Sequence, residues 1–249
     1  MAMHSIVTRE LANPFRSWEK WFQTPAGQLL RESEQAWLDT RLQDRFGYQA
    51  FQMGPRGIDA LRLNRMSSRA RLSPYAVDGA EDELVCDPSA LPIASESTDL
   101  LVLTHALEMV ADPHGLLREA ERILIPEGQL VIVGLNPHSL WALHRPLAVT
   151  RCPPVQGRWI SASRVRDWCS LLGLTTEAGC FGVYRPMVYD ERWSRRWRWM
   201  EAAGARWWPA FGAAYLLTAV KRRMGMRILS PRWTKAPKRA ASAAVARQG

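Results

Sequence analysis

At 249 residues, 47% of them hydrophobic, the chain is long enough for one decorated domain and too apolar for wholesale disorder. Its net charge of +9 is uneven: Arg232, Lys235, Lys238, Arg239 and Arg247 crowd the last twenty residues with no acid. The body then carries about +4, which invites phosphate-bearing partners without requiring them.

Cys86, Cys152, Cys169 and Cys180 form no C-x-x-C pair and no histidine cluster completes a zinc set, so no metal is expected. Reduced thiols fit a cytoplasmic protein. The amino-terminal stretch lacks an apolar h-region, which predicts no secretory signal. The longest apolar run, 207–220, has 14 residues, short of the ~20 a membrane-spanning helix needs.

Helical spacing begins at 25–46, where Leu29, Leu30, Ser33, Trp37 and Leu42 make a broad stripe. Thr24 suits the N-cap, Pro25 the first turn and Gly47 the stop. Residues 48–53 read as a strand ending at Gly54, and 69–77 could form another. Residues 84–86 and 100–103 are short apolar strands; a helix within 107–124 starts at Asp112-Pro113; a turn at Pro126-Glu127-Gly128 leads into a strand at 129–134. Strand, helix, strand with continuous apolar runs marks a parallel sheet buried on both faces. A helix at 163–172 with Gly173 as its stop, then strands at 175–183 and 213–220, complete the pattern.

The segment DPSALPIASESTDLLVLTHALEMVADPHGLLREAERILIPEGQLVIVGLN, residues 87–136, resembles the methyltransferase type 11 family of class I methyltransferases. The likeness rests on an acid-x-x-x-L-P step, Ser-x-Asp before a strand, D-P opening a helix that carries L-x-E-x-x-R-x-L, and P-x-G before the next strand. It implies an α/β fold: a three-layer, seven-stranded, mostly parallel Rossmann-like sheet closed by an antiparallel hairpin, with an N-terminal helix and a helical insertion before the last strand. The domains expected are a helical extension at 1–46, a methyltransferase-like domain at 47–227 with its insertion near 186–209, and a basic disordered tail at 228–249.

The resemblance further implies S-adenosylmethionine as cofactor, bound outside the carboxyl ends of the strands. Asp87 would accept a hydrogen bond from the adenine amino group while Pro88 and Leu91 pack on the ring; the bland alternative for Asp87 is a turn residue. Thr104, His105 and Glu108 match the loop beneath the sulfonium, where His105 and Glu108 would orient or deprotonate a substrate group. The alternative is a satisfied strand-end histidine and a solvated helix charge. Asn136-Pro137-His138 reads as a turn at the substrate mouth.

The family's glycine-rich loop, acid-x-G-x-G-x-G, is degenerate here: Gln52 replaces the acid, and Arg56 and Ile58 replace the second and third glycines. Gly54 and Gly57 remain as candidate cofactor contacts, but Pro55 lacks an amide hydrogen. Only 33 residues separate Gly54 from Asp87, where four elements would need about 45, so one helix is missing or reduced to a turn. Asp78 is the nearest candidate for a ribose-binding acid.

Residues 192–209, RWSRRWRWMEAAGARWWP, hold five of the twelve tryptophans. Trp193, Trp197, Met200 and Trp208 fall near one helical face, with arginines elsewhere. That mixture suits peripheral contact with a membrane or an apolar quinone-like substrate, stacked nucleic-acid bases, or a flap over the site mouth or a dimer contact. The leading expectation is a methyltransferase acting on a small or apolar acceptor. Its rival is a catalytically inactive methyltransferase-like protein binding a membrane surface or a protein or RNA partner.

Overall fold

A computed structural model describes residues 14–74, 83–144, 153, 159–187 and 196–222. Asp78, Trp193 and the basic tail lie outside the described residues.

Two helices open the described chain, α1 (Pro14–Trp21) and α2 (Pro25–Leu42). Thr24 caps α2 as expected: its hydroxyl accepts from the Gly27 amide at 3.1 Å and donates to the Trp21 carbonyl at 2.7 Å. The helix ends at Leu42, short of Gly47. Gly47 serves the next strand instead, because a Cβ there would lie 2.6 Å from that of Asp99, whose carboxylate accepts from the amides of Tyr48 and Gln49.

The strands are β1 (Gln49–Met53), β2 (Ser68–Ser73), β3 (Glu83–Val85), β4 (Thr98–Thr104), β5 (Leu124–Leu135), β6 (Leu174–Gly182) and β7 (Ala214–Lys221). They form one sheet in the order β3-β2-β1-β4-β5-β7-β6, with β7 antiparallel to both neighbours and the other pairings parallel. The turn expected at 126–128 is a bulge at the start of β5: the register jumps from Thr98↔Leu124 to Leu100↔Gln129, and Glu127 takes φ +65°.

Both faces are covered, which is why β4 reads as an unbroken apolar run. Leu100 and Val102 face α1 and α2 together with Ala50, Val131, Val133 and Leu216. Leu101 and Leu103 face the opposite layer, built on α3 (Ala106–Met109), α4 (Pro113–Ile123) and α6 (Ala162–Leu171). A short helix, α5 (Leu140–His144), follows β5, and α7 (Trp199–Trp207) lies between β6 and β7.

The link from β1 to β2 runs through turns at 54–67 and contains no helix, in keeping with the spacing. Lys221, at the end of β7, ties the sheet to α4 by donating to the carbonyls of Glu121 (2.7 Å) and Leu124 (3.0 Å).

Candidate active site

The carboxyl ends of β2, β3 and β4 surround a cleft of about 230 Å³ lined by Pro74, Asp87, Pro88, Ser89, Met109, Val110, Ala111 and Asp112. Asp87 is exposed at its edge. Its Oδ1 accepts from the amide (2.8 Å) and hydroxyl (2.7 Å) of Ser89, and these bonds hold the carboxyl below its ordinary range. Leu91 points away into the core.

The L-x-E-x-x-R-x-L signature on α4 fixes this segment. Glu119 accepts from the Leu91 amide at 2.8 Å, while Arg122 pairs with Glu119 and donates to the carbonyls of Leu91 (3.0 Å) and Ile93 (2.9 Å).

Beside the cleft, β1 and β4 end in a tight joint. Gly54 has φ +149°, and a Cβ on it would lie 2.0 Å from the Thr104 hydroxyl oxygen and 2.1 Å from the Thr104 carbonyl. Thr104 donates to the Met53 carbonyl at 3.3 Å. Gln52, standing where the family's acid would be, is buried and turned onto its own loop: its amide donates to the Ile58 carbonyl (2.8 Å) and accepts from the Ala60 amide (2.9 Å). Arg56 is ion-paired with Glu83 on β3. Gly57 lies under Phe22, whose ring would meet an added Cβ at 2.5 Å.

The next residue after the joint is His105, in the left-handed region at φ +53°, a conformation costing a non-glycine residue roughly 1–2 kcal/mol. Such strain clusters at functional sites. Its ring is fully buried between two carboxyls, with Nε2 3.0 Å from Glu34 Oε2 and Nδ1 3.3 Å from Glu108 Oε2. Trp18 stacks on it at 4.3 Å between centroids.

Burial opposes a charge on His105, but the Glu34 and Glu108 carboxyls outweigh it and push its pKa up to about 10. Glu34 is itself raised, by desolvation above all. Glu108 Oε1 also accepts from the Leu135 amide at 2.6 Å, so both its oxygens are engaged. Among the described residues, Glu34 Oε1 and Trp18 Nε1 are sealed with no hydrogen-bond partner. Among the described residues no cluster of His, Cys, Asp and Glu suits a metal.

With this geometry, residues 58–132 match the family model described as Methyltransferase domain. That match takes in about a third of the chain, and the sheet as a whole has the class I methyltransferase fold.

An uncharacterized protein of Escherichia coli (strain K12), YafS, is 33% identical over 154 residues, 61% of this chain and 63% of its own. A demethylmenaquinone methyltransferase of Chlamydia pneumoniae is 33% identical over 85 residues, 32% of this chain and 35% of its own. The chain thus spans between about a third and just under two thirds of these relatives. Among solved structures, an S-adenosylmethionine-dependent methyltransferase from Thermotoga maritima, titled a possible histamine N-methyltransferase, superposes with a TM-score of 0.61 at 17% identity. That superposition covers 83% of this chain and 95% of that one.

Within this methyltransferase-like fold, Asp87 and Pro88 share the cleft, and His105 and Glu108 share the buried cluster. Gly54 and Thr104 form the joint beside it, Gly57 packs under α1, and Leu91 is in the core. Sequence reasoning missed Glu34 and Trp18. A signal for Glu34 existed: it sits four residues from Leu30 and four from Leu38, on the buried row of α2. Asn136 is buried and closes a turn, donating to the carbonyls of Ala210 (2.8 Å) and Gly212 (2.9 Å) and so tying the insertion to β5.

The tryptophans of the insertion do not share one helical face. Trp197 is half-buried in a turn before α7 and Trp208 lies beyond its end, while Met200 and Gly204 turn inward, Gly204 against Tyr184. Trp199, Trp207 and Phe211 are exposed. No helix among the described residues is long and apolar enough to cross a membrane.

Proposed function

We propose that this domain transfers the methyl group of S-adenosylmethionine to a small acceptor with an apolar body, in the cytoplasm. The observation that carries the reading is the cleft at the ends of β2–β4, with Asp87 and Pro88 at its edge, beside a buried cluster that retains an unpartnered carboxylate oxygen and an unpartnered indole N–H. Those features fit the cofactor: Asp87, oriented by Ser89, and Pro88 would hold the adenosine end, and the sealed acid of Glu34 suits a cationic ligand. When bound, the cofactor supplies an electrophilic methyl group on a sulfonium.

The chain's own contribution is position. Rate would come chiefly from holding two reactants in line. His105 keeps its proton at neutral pH and donates from both ring nitrogens, so it and Glu108 orient the end of β4; of orienting and deprotonating, orienting is the role this geometry supports. The apolar acceptor is supported by the relative named for demethylmenaquinone and by the exposed aromatics of the insertion.

Calorimetry with S-adenosylmethionine tests the reading. Binding with a micromolar to sub-millimolar constant is expected, together with methyl transfer from labelled cofactor into a cell extract that Asp87→Ala abolishes. No heat at millimolar cofactor refutes it.

A further inference from the structure

The family's glycine loop holds its ligand with backbone amides that close approach makes available. Here that grip is largely gone. Pro55 has no amide hydrogen, the Ala60 amide and Ile58 carbonyl are taken by Gln52, and Arg56 is turned toward Glu83. The amino-acid end of an S-adenosyl ligand carries an ammonium and a carboxylate that need partners once dehydrated.

Covering the same loop are α1 and α2, with Phe22 against Gly57 and Thr24 clamping the bend between the two helices. They bring two sealed and unsatisfied groups to one imidazole, Trp18 on its face and Glu34 at its edge. Trp18 stacks on His105 with its indole N–H unpartnered; Glu34 reaches His105 through Oε2 and leaves Oε1 unpartnered. A buried donor and a buried acceptor left without partners are each costly, about 1–3 kcal/mol, and one ligand bearing both charges would satisfy the pair.

We propose that Glu34 and Trp18 form the binding site for the zwitterionic amino-acid end of the S-adenosyl ligand, with Glu34 Oε1 accepting from its ammonium and the Trp18 indole N–H donating to its carboxylate. The N-terminal helices thereby replace the grip that the glycine loop has lost. The inference rests on the methyltransferase reading above. Burial raises the Glu34 carboxyl above its ordinary range, and an arriving ammonium offsets that desolvation. His105, held on Glu34 Oε2, fixes which oxygen is offered. Trp18, Glu34 and His105 are sealed from solvent, so the ligand enters only if the helices over the cluster give way.

The test compares two thioether ligands by calorimetry on the full chain. S-adenosylhomocysteine carries the amino-acid end, and 5′-methylthioadenosine lacks it. The unaltered protein should bind the first at least about tenfold more tightly. Glu34→Gln and Trp18→Phe should each weaken S-adenosylhomocysteine about fivefold or more while leaving methylthioadenosine within about twofold, which also reports that the variant is folded. If Glu34→Gln does not fold, Trp18→Phe decides alone. Variants that bind S-adenosylhomocysteine as the unaltered protein does, or that lose both ligands in step, overturn the assignment. An unaltered protein that binds neither ligand overturns the methyltransferase reading itself.

Discussion

Replacing His105 by alanine leaves the Glu34 and Glu108 carboxyls facing each other inside the protein with no cation between them. Removing one partner from a buried ionic cluster destabilises by about 3–5 kcal/mol, and the lost stacking on Trp18 adds to this. The pH dependence gives a sharper check. His105 has its pKa raised from 6.5 to about 10, so its contribution is complete below pH 6.5 and is lost as pH rises toward 10. Between those limits the folded protein holds the extra proton, and each pH unit removes about 1.4 kcal/mol from it. Glu34, raised by burial, works against this total, so the net contribution near neutrality lies below the roughly 4 kcal/mol that the His105 shift alone would give. Urea denaturation of both proteins from pH 6 to 10.5 measures the difference directly, since surface groups titrate alike in each. The expected gap is widest near pH 6–7 and narrows on the alkaline side. A gap under about 1 kcal/mol at pH 7, or one that stays flat to pH 10.5, would refute the reasoning.

Gly54→Ala should unfold or severely destabilise the protein, by more than about 2 kcal/mol, because its Cβ would overlap the Thr104 hydroxyl and carbonyl; thermal melting reads this out. Gly57→Ala meets only the edge of the Phe22 ring, so its smaller loss should be relieved in the Phe22→Leu background, with a coupling of about 1 kcal/mol in a double-mutant cycle. Arg122→Ala frees the Leu91–Ile93 carbonyls from α4, and should lower stability by about 1–2 kcal/mol and weaken cofactor binding several-fold by calorimetry. Lys221→Met leaves the Glu121 and Leu124 carbonyls without their donor and should cost about 1–3 kcal/mol in urea melts.

The half of the domain from Asp87 to Asn136 was legible because its signals are local. Continuous apolar runs report strands covered on both faces, and the L-x-E-x-x-R-x-L spacing puts Glu119 and Arg122 on the side of α4 that holds the preceding segment. That one helix between Gly54 and Asp87 is lost or reduced was legible from length, though not that it is the one after β1. Gly47 misled, since a glycine after a helical stretch reads as a stop, whereas here it gives Asp99 room to reach the Tyr48 and Gln49 amides across 51 and 50 residues of sequence. The tryptophans of the insertion misled similarly: a helical wheel presumes one helix, and Trp197 and Trp208 fall on either side of α7. Neither contact has a local signature.

The same long-range character hid the most consequential pair. His105 was singled out from its neighbours at the end of β4, but its partner Glu34 lies 71 residues earlier, in what reads as a separate helical extension. An acid on the buried row of α2 is expensive unless something across the interface takes it up. His105 takes up one oxygen and leaves the other, and Trp18 on α1 brings a second unsatisfied group to the same place. Retaining two such groups in a core that buries Leu30 and Leu38 on the same helix row is the observation on which the proposed ligand site rests. Leucine at position 34 would extend that row but leave the buried His105 Nε2 without its partner, so Glu34→Leu should lower stability by about 3–5 kcal/mol at pH 8 and lose the preference for S-adenosylhomocysteine over methylthioadenosine. A Glu34→Leu protein that melts several degrees lower and keeps the preference would show that the acid serves the fold, and that the ligand is held elsewhere.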